Sequence, residues 1–233
     1  MIVVPAVLPT SLTDLNEKLA LFASLSSISR VQIDVVDGKF ATPATWPYTA
    51  PAEMQKMIEN EKTLPYLERI EYEIDLMCLD VEKAVHDWLI LGASRLTLHV
   101  ETSTDISTLL HLIHKKYGVG DGLISVGLAL SNTTDLSLIE PHLSQVQYVQ
   151  CMGIATIGRQ GQAFDTRVLE KLSTLHKHHP DIALQVDGGV SLTNAHLLIE
   201  RGVTNLIVGS SLNAGDPQAI VDTIENLKSP FSA

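Results

Sequence analysis

Short apolar runs alternate with amphipathic stretches along the whole chain. The runs at residues 2–8, 30–36, 70–77, 95–100, 123–130, 146–152, 183–186 and 205–208 are rich in Val, Ile and Leu. Continuous apolar runs suit strands that are covered on both faces of a parallel sheet. Between them, apolar residues recur at three- and four-residue spacing, as on one face of a helix. Ser11 caps the first such stretch, which carries Leu15, Leu19, Leu21 and Phe22. Helices are then expected from Pro51 to about Lys62, over 81–91 before Gly92, and over 106–117 before Gly118. The remaining helical stretches are 136–143, 166–178, 193–201 before Gly202, and 217–228.

That order makes eight βα units, and 233 residues divided by eight gives about 29 each, the usual size for a (β/α)8 barrel. One α/β barrel domain over residues 1–233 is therefore predicted. A doubly wound open sheet is the rival, but it would carry a glycine-rich fingerprint after the first strand, and Leu8-Pro9-Thr10-Ser11 has none. The distinction matters, because in a barrel chemistry collects at the C-terminal ends of the strands.

Composition narrows the partners. With 45% hydrophobic and 18% charged residues, the chain reads as globular rather than disordered. A formal charge of −11 argues against a non-specific nucleic-acid or anionic-membrane surface. It leaves room for a phosphorylated small molecule, which a few backbone amides can hold locally. Residues 1–8 lack a basic n-region and read as a first strand rather than a signal peptide. No run approaches the ~18 apolar residues of a membrane span. Cys78 and Cys151 have neither metal-type spacing nor the look of a disulfide framework. A cytoplasmic protein is expected, with no nucleic-acid or membrane partner, and a homo-oligomer is expected as well.

The polar residues at the strand ends carry the functional signal. Gln32 and Asp34 interrupt the apolar run 31–36 two residues apart, hence on one face of the strand. A carboxylate buried there costs several kcal/mol unless it is paired, protonated or bound to a cation. Asp37 follows Asp34, Asp75 ends the third run, His99 and Glu101 end the fourth, and Asp187-Gly188-Gly189 ends the seventh. These acidic positions, from four strand ends, are expected to meet at one mouth. Strands two and seven face each other across an eight-membered ring, so Asp34 and Asp187 suit removal of a proton α to a carbonyl on one face and its return on the other. Both would need displaced pKa values. The plainer alternatives are a strand-end cap for Asp34 and a turn cap for Asp187. Glycine lets backbone amides approach an anion, and three segments offer it: Gly158, Gly161 and Gln162 after strand six, Gly188-Gly189 after strand seven, and Gly209-Ser210 after strand eight.

These motifs, in this order, resemble the ribulose-phosphate 3-epimerase family over nearly the whole chain. Pro5-Ala-Val-Leu8 is similar to its Pro-Ser-Ile-Leu, and Gln32-Ile-Asp-Val-Val-Asp-Gly38 to its His-x-Asp-x-Met-Asp-Gly. Ile74-Asp75-Leu76-Met77 resembles Val-His-Leu-Met, and Leu98-His-Val-Glu101 the strand-four sequence. Gly127-Leu-Ala-Leu130 with Thr133-Thr134 is similar to the Val-Ala-Leu-Asn and Thr-Pro-Leu region, and Gly158-Arg-Gln-Gly-Gln-Ala-Phe164 to the phosphate loop. Val186-Asp-Gly-Gly189 and Val208-Gly-Ser210 match their counterparts. The resemblance implies a TIM barrel of the ribulose-phosphate-binding type and an isomerase that inverts C3 of a ketose phosphate, interconverting D-ribulose 5-phosphate and D-xylulose 5-phosphate through an enediolate. It implies Asp34 and Asp187 as the catalytic acid and base. It also implies phosphate binding by Gly158, Gly161, Gln162, Gly188, Gly189, Gly209 and Ser210, with Arg159 of the same loop a further candidate from its charge.

The family binds a divalent metal through two histidines and two aspartates. By position the aspartates are Asp34 and Asp187, but the histidines are replaced by Gln32 and Asp75, the first-strand serine by Ala6, and an aromatic residue and glycine of the phosphate loop by Arg159 and Gln160. A set of Gln32, Asp34, Asp75 and Asp187 is all-oxygen, so it prefers Mg2+ or Mn2+ to Zn2+ or Fe, or holds no metal. Three carboxylates without a cation would repel and raise at least one pKa. The alternatives are an epimerase for another sugar phosphate, such as a hexulose 6-phosphate, or an inactive phosphate-binding homologue. Arg159 either pairs with phosphate or points to solvent.

Other conspicuous residues carry less. His176, His178 and His179 sit at a helix end before Pro180, where cations interact well with the last carbonyls. His86, His111, His114 and His196 fall on outer helices. Met54, Met57 and Ile58 read as helix packing, and Trp46 as either a lid over the mouth or an oligomer contact.

Overall fold

The β-branched runs become strands, and the strands close on themselves. In the computed structural model, which describes residues 1–103, 105–119, 124–212 and 216–228, the strands are β1 (Ile2–Val7), β2 (Arg30–Val36), β3 (Glu71–Met77), β4 (Arg95–His99), β5 (Ser125–Leu130), β6 (Tyr148–Met152), β7 (Ala183–Asp187) and β8 (Val203–Val208). All eight pair in parallel in chain order, and β8 returns to β1. Their C-terminal ends therefore form one rim. Register places Asp34 opposite Asp75 across β2–β3, and Gln150 opposite Gln185 across β6–β7.

The connecting helices are α1 (Leu12–Ser24), α2 (Pro51–Glu59), α3 (Val81–Ile90), α4 (Ile106–Tyr117), α5 (Val168–His178), α6 (Ala195–Ile199) and α7 (Pro217–Lys228). Their starts follow local chemistry. Ser11 Oγ accepts the Asp14 amide at 3.1 Å, Asp105 Oδ1 accepts that of Thr108 at 2.9 Å, and Pro51 and Pro217 open α2 and α7. The helix expected over 136–143 does not form. Two 3-10 turns, Leu136–Leu138 and Glu140–Gln145, replace it, so the described residues hold seven α-helices rather than eight. Pro141 has no N–H to give to a helix and its ring crowds the preceding turn. α6 is shorter than expected because Asn194 Oδ1 takes the Ser191 amide at 2.9 Å, holding residues 191–194 in a turn. The other element ends lie within a few residues of expectation. Leu123, the expected start of β5, lies outside the described residues.

The chain builds two unlike cores. Outward-facing positions such as Ile33, Ile74, Leu98, Leu128, Val149, Val186 and Leu206 pack beneath the helices in one buried apolar layer. Trp46 belongs to it and is fully buried. Its ring stands edge-on to Trp88 of α3 at 5.8 Å, and its Nε1 donates to Glu53 Oε2 of α2 at 3.0 Å. Trp46 therefore seats two helices on the barrel and is neither lid nor exposed contact. None of the described helices is long and apolar enough to cross a membrane.

Inside the barrel the alternate positions are mostly polar. Val4, Ala6 and Ile207 form one small apolar cluster there, and Val36 and Met77 belong to another at the C-terminal rim. Gln32, Glu73, Thr97, Tyr148, Gln150 and Gln185 are all essentially excluded from solvent. Arg95 Nε donates to Glu73 Oε2 at 2.9 Å while its guanidinium lies 4.2 Å from the Tyr148 ring centre. Thr97 Oγ1 donates to Glu73 Oε1 at 3.0 Å. Arg95→Met strands the Glu73 charge in the interior, so we expect it to lower stability by about 3–5 kcal/mol, read by urea unfolding at pH 7; a loss below about 1 kcal/mol would show the pair to be dispensable.

Candidate active site

Three strands deliver three carboxylates to the C-terminal rim: Asp34 from β2, Asp75 from β3 and Asp187 from the end of β7. Each offers a carboxylate oxygen within 4.8 Å of the others, and their exposures are only 5%, 0% and 8%. Such a cluster requires donors. Gln32 Nε2 supplies two hydrogen bonds, to Asp34 Oδ1 at 2.9 Å and to Asp187 Oδ2 at 3.0 Å. Asp75 shares a 3.0 Å contact with His99 Nε2 and accepts from Gln150 Nε2 at 3.1 Å.

The electrostatics follow from burial and crowding. Burial, then repulsion from Asp187 and Asp75, holds the Asp34 pKa well above the ordinary carboxylate range. Burial and the Asp75 charge raise Asp187 to about 7 against the counter-effect of the Gln32 hydrogen bond. For His99, burial opposes protonation, but Asp75 and Glu101 outweigh it and lift the ring to about 10. Burial alone would raise Glu101; hydrogen bonds from His99 and the Ser131 amide instead bring it down to about 2. The site thus holds an imidazolium beside two carboxyls, Asp34 and Asp187, that keep their protons to higher pH than free acids do.

Two acidic positions do not join this cluster as expected. Asp37 turns away, accepting the Lys39 and Phe40 amides at 2.7 Å and the Leu79 amide at 2.9 Å, so it fixes the β2–α2 loop to the end of β3. Glu101 lies on the 3-10 turn Val100–Thr102 after β4, bonded to the Ser131 amide at 2.8 Å and to the Thr134 hydroxyl. The chain needs those carboxylates to hold loop backbone, and β4 has ended before Glu101 can point inward. His99, by contrast, faces in.

Asp34 and Asp187 border one cavity with Gly158, Arg159, Gly161, Gln162, Gly188, Gly189, Gly209 and Ser210. Met77, Met152, Ile154 and Val190 supply its apolar wall. Gly188 and Gly189 have φ of +95° and +68°, and a Cβ on Gly189 would come within 2.6 Å of Phe164 Cα, so the chain can make this turn only with glycine. Gln162 spends its side chain on its own loop, accepting from the Thr156 amide at 3.1 Å and donating to the Arg159 carbonyl at 2.8 Å. Arg159 Nε donates to the Thr42 carbonyl at 3.0 Å, tying the loop after β6 to the loop after β2. Gln160 Nε2 reaches Ala6 O at 3.2 Å and Asp34 Oδ2 at 3.5 Å.

Strand positions that the sequence reading passed over complete the site: Gln150, Gln185 and Glu73 lie beneath it. Their signal was available as polar residues at every second position of 73–75, 148–150 and 185–187.

The three carboxylates fit a hard divalent cation in spacing and donor chemistry. Gln32, however, presents its amide nitrogen to two of them, Asp34 and Asp187.

A ribulose-5-phosphate-3-epimerase, chloroplastic, from Arabidopsis thaliana is 28% identical over 236 residues, covering 99% of this chain and 78% of its own. The ribulose-phosphate 3-epimerase of Escherichia coli strain K12 is 25% identical over 230 residues, covering 97% and 95%. Among solved structures, a 3-hexulose-6-phosphate synthase superposes with a TM-score of 0.67 at 15% identity, covering 99% of both chains, which shows a shared fold. The sequence model of the ribulose-phosphate 3 epimerase family matches residues 2–213, and the chain belongs to that family.

Proposed function

We propose that this protein inverts C3 of a ketose phosphate, interconverting D-ribulose 5-phosphate and D-xylulose 5-phosphate. The observation that carries the reading is the pairing of Asp34 and Asp187, delivered from β2 and β7, at the edge of one glycine-lined cavity. Asp187, at about 7, is substantially ionised at neutral pH and can accept the C3 proton, while Asp34, held higher, keeps one to give. The electrons of the broken C–H bond move into the adjacent carbonyl to form an enediolate. Asp34 then protonates C3 on the opposite face, and the roles exchange in reverse. Backbone amides around Gly188, Gly189, Gly209 and Ser210 suit a phosphate at the cavity rim.

A cation held by Asp34, Asp75 and Asp187 would stabilise the developing oxyanion, and this oxygen set favours Mg2+ or Mn2+. A second reading, an epimerase of another sugar phosphate such as a hexulose 6-phosphate, draws on Gln160. Its carboxamide meets Asp34 where the family's loop has glycine, so the groups a substrate encounters differ.

Asp187→Asn should reduce exchange of the C3 proton into D2O at least about 1,000-fold on ribulose 5-phosphate, followed by NMR; retention of exchange would remove Asp187 from the chemistry. The variant should also fold more stably at pH 8. A carboxyl raised from 3.8 to about 7 favours the fold below pH 4 and loses that contribution as pH climbs through 7, so removing its charge should gain roughly 1–3 kcal/mol at pH 8 and little at pH 4. For the same reason kcat/KM should fall as pH drops through about 7, when the base takes up its proton. A flat profile between pH 5 and pH 8 would contradict the assignment.

A further inference from the structure

A TIM barrel interior is ordinarily packed with Val, Ile and Leu. Here a tier of carboxamides, Gln32, Gln150 and Gln185, lies directly beneath the three aspartates, and all three are fully buried. Both hydrogens of Gln32 Nε2 are engaged, one on each of the two acid–base carboxylates, at 2.9 and 3.0 Å. In that orientation the amide oxygen faces a donor, the Gln185 amide, rather than the carboxyl oxygens. At its far end, Gln32 Oε1 lies 3.5 Å from Gln185 Nε2. Gln185 also donates to Gln150 Oε1 at 2.6 Å and to Glu73, and Gln150 carries the chain on to Asp75. Each carboxylate of the site thus receives a buried amide N–H from this tier.

We infer that the Gln32 carboxamide is a positioning donor bridging Asp34 and Asp187, its oxygen packed toward Gln185, and that it performs between them the holding a cation on the same carboxylates would perform. Proton exchange at C3 then runs without a bound cation. The inference rests on the epimerase reading above. It also has a thermodynamic corollary independent of that reading. A donor that already satisfies two of the three carboxylates competes with a cation for them, whereas a ligand would assist its binding.

Gln32→Met keeps the length of the side chain and removes both hydrogens. Titrating Mn2+ by calorimetry into chelator-stripped wild type and variant decides the sign. A bridging donor predicts that Mn2+ binds the variant about tenfold tighter or more, and weaker binding overturns the inference in favour of an amide-oxygen ligand. In exchange of ribulose 5-phosphate in D2O, stripped wild type should remain active, and the variant should lose on the order of 100-fold in kcat with KM within about threefold. Stripped wild type that is dead until Mn2+ is returned also overturns the inference while leaving the epimerase reading intact. Absence of exchange under both conditions overturns that reading instead, and the calorimetric sign still decides the role of Gln32. Gln185→Met, which leaves Gln32 in place but loosens it, should shift Mn2+ affinity in the same direction by less; a shift in the opposite direction counts against the bridge.

Discussion

The site depends on keeping three like charges together where there is almost no water. Several kcal/mol oppose each bare ion in such a place, and mutual repulsion adds to the cost. The protein meets this in three different ways at once. Asp34 and Asp187 retain protons to higher pH than free acids do. Asp75 sits against a charged imidazole ring. All three accept amide hydrogens from side chains below them. The first of these is also what an acid–base pair requires, so the expense of the arrangement and its chemical use have one origin.

That constraint explains the division of labour in the barrel. The outer faces of the strands and the inner faces of the helices make one continuous apolar layer, which carries the stability. The interior is left free to be polar, and each polar group there has a partner drawn from a different strand: Arg95 with Glu73, Tyr148 with Thr97, Gln185 with Gln150. Closed parallel pairing fixes the heights of these residues relative to one another, so side chains from β2, β3, β6 and β7 meet at a common level. Loops alone would not hold carboxylates to that tolerance.

Much of this could be read from the chain. The alternation of apolar runs and helical spacing led to the barrel, and Asp34, Asp75 and Asp187 stood out because ionisable residues in apolar strands need a reason. Pro141 misled the helix count, since the apolar spacing around it is genuine while its missing N–H is decisive. Asp37 and Glu101 looked like site residues because a carboxylate near a strand end has the same sequence signature whether it serves substrate or loop backbone. Trp46 was out of reach for a different reason: which way a large ring turns from a loop depends on Glu53 and Trp88, contacts that only the folded chain brings together. Of the carboxamide tier Gln32 stood out beside Asp34, while Gln150 and Gln185 were visible as a period of two but were passed over amid strong apolar neighbours.

The hub at Gln185 has a bearing on how such a chain changes over generations. One buried nitrogen there, with two hydrogens, is shared among acceptors on Glu73, Gln150 and, at 3.5 Å, Gln32. Replacing any one member by an acid or an imidazole leaves another group inside the barrel unanswered, at about 1–3 kcal/mol or more. A change from this set of inward-facing residues to one bearing histidines is therefore expected to pass through linked substitutions rather than single steps, and the residues to compare among relatives are the inward-facing positions as a group.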